Sequence, residues 1–576
     1  MNYMERYNMW LSSDKVDEET KKELLSIKDN DNEIKERFIK ELEFGTAGLR
    51  GIIGAGDNRM NIYTVRKATQ GLSEDIKNKG AEYMKRGVVI AYDSRIKSDV
   101  FALDTARVLC ANGIKVYLFE SLRPVPMLSF AIRHLKTAAG VVITASHNPK
   151  EYNGYKAYGE DGSQLPPESS DYVTEIIQKL DTFEDVKIIS KEEAIKNGLL
   201  EIVGEEIDIA YLNKVREQSV NEEAAKALGD NFRMVYTPFH GAGYMPVKRI
   251  LEMTGIKNLH IVEEQAMPDG NFPTLRSPNP EEKDGFEMAI NLAKKVDADV
   301  IVATDPDSDR AGVTIKASNG EYITLTGNQI GVLLCEFILR NKKKNGTLPT
   351  NGAVIKTIVT TDMVAPIAKE YGVTVMNVLT GFKFIGEKIK EFEQSGSHEY
   401  LFGFEESYGY LAGTHARDKD AVVATMLISQ MAADYKTKGM TLYEGLISLY
   451  EKYGYYKEGL YNLVLKGLDG AEKISQIMKT VRENPPTEVN GVKVTTIMDV
   501  LNDTILDLKT NEVTKCGYPK SNAMRFDLED GSFFAVRPSG TEPKIKFYFG
   551  IKDTSDEKAQ KKLEAFSKNV MSLIEC

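Results

Sequence analysis

No stretch of this chain is apolar for long enough to cross a bilayer, so a membrane-spanning helix is not expected. The first residues, Met1-Asn-Tyr-Met-Glu-Arg-Tyr7, lack the basic-then-apolar order of a signal peptide. Cysteine is scarce. Cys110, Cys335, Cys516 and Cys576 stand far apart, with neither metal-binding nor redox spacing, which makes a reducing cytoplasm the expected setting. Basic residues are not in excess either, and a formal net charge of −11 argues against nucleic acid as the main partner. A locally basic pocket for a phosphorylated small molecule remains compatible with that charge. No low-complexity tract predicts a long disordered region.

What is present is a repeated pattern. The 576 residues are too many for one core and predict about four domains. The 42% hydrophobic and 28% charged content is that of a globular protein. Residues 1–43 read as amphipathic, charge-rich helices leading into Phe44-Gly-Thr-Ala-Gly-Leu-Arg-Gly51. A strand–helix–strand–helix–strand unit then occurs three times. Its first copy has strands at 87–92, 115–119 and 140–143, with helices at about 98–112 and 126–136. The second has strands at 233–236, 259–262 and 299–303, with helices at about 245–254 and 284–295. The third has strands at 353–356, 373–376 and 400–402, with helices at about 361–371 and 383–393. Short apolar runs alternating with helical-period segments imply mostly parallel sheets buried on both faces. After about 455 a looser region containing Pro485-Pro486 is expected. Strands at 522–528 and 532–537 follow, joined by the hairpin signal Asp530-Gly531, then a strand at 544–550. A helix from about 554 to 574, capped by Thr554 or Ser555, closes the chain. The expected fold is α/β: three similar α/β domains (1–205, 206–325 and 326–455) and a smaller C-terminal α+β domain (456–576).

Each copy delivers a chemically distinctive loop at the same step, the end of its third strand, where parallel sheets gather ligand groups. The first is Thr-Ala-Ser-His-Asn-Pro at 144–149, with Ser146 at an exposed turn stopped by Pro149. His147 is a second candidate there; on an extended segment it would point to the opposite face and need not be the base for Ser146. No Gly-x-Ser-x-Gly elbow surrounds the serine, so a serine hydrolase is disfavoured. The second loop is Asp305-Pro-Asp-Ser-Asp-Arg310. Carboxylates at alternating positions share one face of an extended segment, so Asp305, Asp307 and Asp309 can converge on a divalent cation, magnesium being the natural choice. An EF-hand fails because Arg310 stands where its glycine belongs and Lys316 where its bidentate glutamate belongs. Two readings remain beside the metal: an aspartyl-phosphate at Asp305, and a loop of turn-capping acids. The third loop is Gly403-Phe-Glu-Glu-Ser-Tyr-Gly409, in which Glu405 and Ser407, two residues apart on one face of an extended loop, suit a bidentate hold on sugar hydroxyls. In the C-terminal part, Arg537-Pro-Ser-Gly-Thr-Glu-Pro-Lys544 offers a guanidinium fork, two hydroxyls and a close-approach glycine for a phosphate. The Gly-rich 45–51 stretch could bring Arg50 to a phosphate in the same way.

These residues together resemble the α-D-phosphohexomutase superfamily, most closely its longer phosphoglucomutase branch, which also contains phosphopentomutases and sugar-bisphosphate synthases. The resemblance spans about 45–550 and rests on four motifs in the family's order: the serine loop, the Asp-x-Asp-x-Asp loop, Gly-Phe-Glu-Glu-Ser and Arg-x-Ser-Gly-Thr-Glu-Pro. It implies four domains around a central cleft, Ser146 as a phosphoserine that also touches the metal, and magnesium on Asp305, Asp307 and Asp309. It further implies that Glu405 and Ser407 grip the sugar, and that Arg537, Ser539, Gly540 and Thr541 hold the non-transferring phosphate. Lys156 matches a family lysine proposed for acid–base work, and Arg50 and Arg310 match arginines close to the phosphoserine. Thr380, Gly381, Lys419 and His415 are similar to further substrate contacts. The chain departs from the shorter bacterial members in its N-terminal extension and in Thr-Ala-Gly-Leu-Arg in place of Thr-Ser-Gly.

The activity implied is interconversion of hexose 1-phosphate and hexose 6-phosphate, glucose first, through a bisphosphate that turns over on the enzyme. Glucose 1,6-bisphosphate would serve as activator and intermediate, and a monomer or weak dimer is expected. The rivals are a phosphomannomutase, phosphopentomutase or bisphosphate synthase with the same site, an aspartyl-phosphate phosphatase, and a non-enzymatic sugar-phosphate sensor.

Overall fold

The computed structural model describes residues 1–45, 48–465, 468–539 and 544–574. Runs such as Val88–Tyr92 and Ala139–Ile143 are apolar throughout and buried on both faces, as strands inside a two-layer covering of helices must be. The first sheet contains β1 (Gly48–Ile52), β2 (Val88–Tyr92), β3 (Val116–Phe119), β4 (Ala139–Ile143), β5 (Tyr152–Gly159) and β6 (Leu200–Val203), in the order β1-β5-β4-β2-β3-β6. The second contains β7 (Arg233–Thr237), β8 (Asn258–Ile261), β9 (Val300–Thr304), β10 (Ala311–Lys316) and β11 (Tyr322–Thr324), in the order β11-β10-β9-β7-β8. In the third, β12 (Gly352–Thr357) lies parallel between β13 (Thr374–Val378) and β14 (Glu399–Glu405).

The three expected copies share one core topology. In each, the first strand is central, the second lies parallel on one side, and the third, loop-bearing strand lies parallel on the other. The expectation of mostly parallel sheets holds for these cores only. In the first two sheets the chain turns straight back after the functional loop as an antiparallel strand, β5 against β4 and β10 against β9. Neither return strand is apparent from periodicity alone, because Tyr152–Gly159 is rich in glycine and tyrosine.

By packing, the described residues form two compact units. One comprises 1–325, 386–396 and 408–441, and includes β15 (Gly409–Ala412), which bridges to Arg310. The other comprises 326–385, 397–407 and 442 onward. In the second unit the region after 455 is more regular than its sequence suggests. Tyr455–Val464 (β16) pairs along its whole length with Lys544–Asp553, and Leu468–Glu483 is a helix. The remainder is an antiparallel sheet against which Asp556–Ile574 packs, that helix being capped by the Ser555 hydroxyl. Another departure has a clear cause. The helix expected from about 361 begins at Val364, because Asp362 is drawn into ion pairs with the buried Lys356, at 2.9 Å, and with Arg525. Among the described residues no helix is long and apolar enough to cross a membrane.

The N-terminal segment is three helices, Tyr3–Ser12, Glu18–Ser26 and Asp31–Phe38, which enclose a small aromatic core of their own. Trp10 is fully buried there among Phe38, Tyr63 and Phe183, and its indole N–H donates to Asp57 at 2.9 Å. Trp10→Ala removes that ring and leaves Asp57 buried without the donor. It should cost about 3–5 kcal/mol, read as a lowered urea midpoint of the first unfolding transition; an unchanged midpoint would show that these helices do not support the fold.

A second prediction concerns Glu458 on β16. Burial, with Asp362 nearby, pushes its carboxyl up to about 7 despite a hydrogen bond from Thr361. A raised folded value means that its contribution to stability is full below the ordinary carboxylate range and is lost as pH rises through about 7. Glu458→Gln should therefore gain urea stability relative to the parent as pH rises from about 5 to 8. A pH-independent difference between the two would refute the assignment.

Candidate functional site in the first unit

Ser146 follows β4 by three residues and adopts a left-handed conformation with φ of +54°. The same device recurs in the other two loops, at Ser308 (φ +49°) after β9 and Tyr408 (φ +64°) after β14. Non-glycine residues in this region carry strain of order 1–3 kcal/mol, which the surroundings must offset. At Ser146 the amide N–H donates to Thr144 Oγ1 at 2.8 Å, and Thr144 in turn donates to Asp307 Oδ2 at 3.1 Å. The serine side chain is buried and its hydroxyl donates to Asp305 Oδ2 at 3.1 Å.

Because residue 146 is left-handed, His147 does not point away from the serine as an extended segment would require. Its Nδ1 lies 3.2 Å from Ser146 Oγ. Burial, together with Arg310 and Arg50, holds this imidazole well below the usual histidine range, so it is neutral.

The acidic loop also differs from its extended reading. Residues 305–310 form a tight turn, closed by the Ser308 N–H on the Asp305 carbonyl at 2.9 Å. Asp305 Oδ1 accepts the N–H groups of Asp309 (3.1 Å) and Arg310 (3.0 Å), so the first carboxylate organises the turn that carries the other two. Three neighbours pin the loop from outside: Val125 N–H donates to Asp307 O, Ala242 N–H to Pro306 O and Ala421 N–H to Ser308 O. Gly241 is required by that approach, since a Cβ there would lie 2.5 Å from the Pro306 Cα.

The three carboxylates are buried and present oxygens that all lie within 4.8 Å of one another. Burial and the charges of Asp307 and Asp309 push Asp305 well above the usual carboxylate range. Asp309 goes the other way: burial pushes it up, but Lys419, Lys156 and Arg310 together hold it below that range. Lys156, on β5, reaches Asp307 Oδ2 at 2.9 Å, and Lys419 reaches Asp309 Oδ2 at 3.1 Å. Asp307 Oδ1 and Asp309 Oδ1 are buried and accept no hydrogen bond among the described residues. Two orphaned carboxylate oxygens beside a third acid, next to a serine hydroxyl, fit a hard divalent cation.

The other first-unit candidates divide. Arg310 pairs with Glu281 at 2.6 Å and approaches Asp309 at 3.8 Å. Arg50 is exposed on β1 and reaches Asn148 of the serine loop at 3.2 Å. His415 is placed differently: its Nε2 lies 2.7 Å from Asp420, which also accepts the Tyr211 hydroxyl and caps the helix Ala421–Thr437. Sequence reasoning missed Thr144, and it missed Asp93 and Arg95, which sit at the end of the strand adjoining β4. That position, beyond the carboxyl end of a parallel strand, was the available signal.

In the second unit, Glu405 is the buried last residue of β14, and Ser407 lies in the turn after it, so the two are not on one extended face. Glu406 accepts the hydroxyls of Thr357 and Thr360, both at 3.2 Å. Thr380 has a buried hydroxyl with no hydrogen-bond partner among the described residues, and Gly381 has φ of +119°. Arg537 lies on the strand Phe533–Pro538, and Ser539 N–H donates to the Lys544 carbonyl at 2.8 Å. Gly540 and Thr541 lie outside the described residues.

Comparison with known proteins gives a consistent result. The family profiles for phosphoglucomutase/phosphomannomutase match in order: alpha/beta/alpha domain I at 41–184, domain II at 210–320, domain III at 326–453 and the C-terminal domain at 478–566. A phosphoglucomutase of Staphylococcus aureus (strain MSSA476) is 36% identical over 534 residues, 92% of this chain and 94% of the relative. One of Staphylococcus haemolyticus (strain JCSC1435) is 36% identical over 520 residues, 89% of this chain and 91% of the relative. Among solved structures, the open form of the Paramecium phosphoprotein pp63/parafusin, a phosphoglucomutase, shares the fold with a TM-score of 0.68 at 18% identity, over 93% of this chain and 94% of that one. A phosphoglucomutase/phosphomannomutase family protein of Burkholderia thailandensis does so with a TM-score of 0.66 at 17% identity, over 93% and 98%.

The acidic turn makes a prediction of its own. Ionising Asp305 in the folded, metal-free chain is unfavourable, because its carboxyl is raised by burial and by Asp307 and Asp309. That cost is absent below the ordinary carboxylate range and grows as pH rises through the raised value. A divalent cation removes it, so the gain in Tm from Mg2+ over EDTA should be largest near about pH 8 and shrink towards about pH 5. A gain that does not change with pH, or no gain at all, would remove the cation from this turn.

Proposed function

The chain belongs to the phosphoglucomutase/phosphomannomutase family, and on that premise we propose that it interconverts hexose 1-phosphates and 6-phosphates, glucose first, by way of a phosphoryl group carried on Ser146. The observation that carries this reading is the 3.1 Å approach of the Ser146 hydroxyl to Asp305, inside a cluster of three carboxylates with orphaned oxygens. Asp305, Asp307 and Asp309 would hold magnesium, chosen by their all-oxygen donor set, and that ion would neutralise charge on the phosphoryl oxygens.

In the first half-reaction the bond from phosphorus to Ser146 Oγ breaks and a bond to a sugar hydroxyl oxygen forms. The hydroxyl proton leaves to a neighbouring base, and a hexose bisphosphate results. In the second half-reaction the bond from the other phosphorus of the reoriented bisphosphate to its sugar oxygen breaks and a bond to Ser146 Oγ forms, the serine proton passing to the released sugar oxygen. Arg50, Arg310, Lys156 and Lys419 offset the charge of the moving group, since phosphoryl transfer is mainly a matter of positioning and electrostatics. Lys156 or a neighbour handles the proton, and His147, 3.2 Å from the serine oxygen, is such a neighbour. We assign Glu405, Ser407, Thr380, Gly381 and His415 to the sugar, and Arg537, Ser539, Gly540 and Thr541 to the phosphate that does not move. Four domains, divided near 205, 325 and 455, supply one loop each. We place the enzyme in the cytoplasm as a monomer or weak dimer, with glucose 1,6-bisphosphate as activator.

An aspartyl-phosphate at Asp305 is the weaker reading. Asp305 Oδ1 is engaged by two backbone N–H groups and Oδ2 by the serine hydroxyl, which suits a turn-organising metal ligand better than a nucleophile.

The test is conversion of glucose 1-phosphate to glucose 6-phosphate with Mg2+ and a trace of glucose 1,6-bisphosphate. Ser146→Ala should lower turnover by at least about 10³-fold and abolish the mass increment of one phosphate on the protein. Near-parental turnover in that variant would end the relay, and parallel assays on mannose and ribose phosphates decide the sugar.

A further inference from the structure

Thr144 apart, the groups that hold the serine loop around its left-handed turn come from outside it. Asp93-Ser-Arg95 follows β2, the strand beside β4, and the Arg95 side chain is completely buried. Its guanidinium is spread across the backbone of the serine loop. Nη2 donates to the Ser146 carbonyl at 2.6 Å and to the Asn148 carbonyl, while Nη1 donates to the carbonyls of Pro149 and Tyr152, both at 2.9 Å. One side chain thus satisfies four carbonyls, three in the loop between β4 and β5 and one at the first residue of β5, a service buried backbone oxygens require.

The fork itself is held. Asp93 lies 3.5 Å from Arg95 Nε and accepts the Arg95 backbone N–H at 2.9 Å and the Ser98 hydroxyl at 2.8 Å. The guanidinium also lies over the ring of Phe272, 5.2 Å from its centroid.

We propose that Arg95 is a positioning residue for the phosphoryl relay: its buried fork fixes the carbonyls on both sides of the left-handed turn, and so aims Ser146 Oγ at the Asp305 carboxylate. The proposal rests on Ser146 being the phosphoryl carrier. Arg95 touches neither substrate nor the reacting atoms; it acts through the serine backbone. A lysine would keep the charge facing Asp93, but its donors radiate from a single nitrogen and cannot span four carbonyls. A displacement of the nucleophile by about 1 Å is enough to cost 10²-fold in rate.

The experiment compares parent and Arg95→Lys by intact mass, following phosphorylation of the dephosphorylated protein by glucose 1,6-bisphosphate, together with steady-state kinetics below the Tm of both. The expected result is a phosphorylation rate constant and kcat each lower by about 10²-fold, with KM for glucose 1-phosphate within about threefold. A reduced amplitude with an unchanged rate constant would mean that Arg95 only supports folding, and overturns the proposal. So does a kcat within about threefold of the parent. Should Arg95→Lys not fold, Asp93→Asn decides: it keeps the acceptor for Ser98 but loosens the fork, and should lower kcat about tenfold at unchanged KM, whereas unchanged kcat overturns the proposal. Failure of the parent itself to become phosphorylated on Ser146 would instead remove the relay, leaving the clamp without a reaction to serve.

Discussion

Three carboxylates buried within 4.8 Å of one another are the constraint around which the first unit is arranged. At an effective dielectric of about 20, each like-charged pair at that separation repels by roughly 3–4 kcal/mol. A turn of this kind persists only where positive charge is brought to it, and Lys156 and Lys419 arrive from segments far away in sequence to provide it. The opposite shifts of Asp305 and Asp309 record how unevenly that help is distributed. Lysines and an arginine reach Asp309, whereas Asp305 faces its own neighbours and organises the turn through backbone N–H groups. Asp307 Oδ1 and Asp309 Oδ1 accept no hydrogen bond among the described residues, and such oxygens suit a hard divalent ion.

Repetition explains how such a turn comes to face a serine. The same βαβαβ core occurs three times, each time with the third strand beside the first, and each copy places a strained, left-handed residue just past that strand. A shared scaffold guarantees that every copy ends in a sharply aimed loop; it does not dictate what the loop carries. One copy has a hydroxyl there, one has three acids, and one has a glutamate beside a serine. In the first unit, the return strands β5 and β10 keep these loops short by turning the chain back at once, and β5 supplies Lys156 on the way.

The N-terminal helices, outside the repeat, form a packed core of their own. The three N-terminal helices enclose an aromatic core centred on Trp10 and are tied to the first unit through Asp57 and Tyr63. In the second unit, ionisable groups are buried as a mutually paired set. Lys356, Asp362 and Arg525 neutralise one another, and they shape the start of the helix at Val364.

Much of this was legible in the residues alone, and the limit has a physical basis. Apolar runs at 88–92, 139–143, 233–237 and 300–304 declare buried strands wherever they occur, so the three copies, the position of their loops and the identity of Ser146 and the acidic triad follow from local pattern. The regular strand at 455–464 was hidden, since an edge strand with half-exposed side chains has no continuous apolar run. Hidden too were the handedness of residue 146, the side on which His147 falls, and the turn that gathers Asp305, Asp307 and Asp309. Those depend on the Thr144 hydroxyl, which accepts the Ser146 N–H, and on hydrogen bonds donated by Arg95, Val125, Ala242 and Ala421, donors whose proximity is a property of the packed chain. Local chemistry chose the side chains of the candidate site; only tertiary contacts between distant segments could decide the direction in which each of them points, because a strained turn has no stability without partners to hold it.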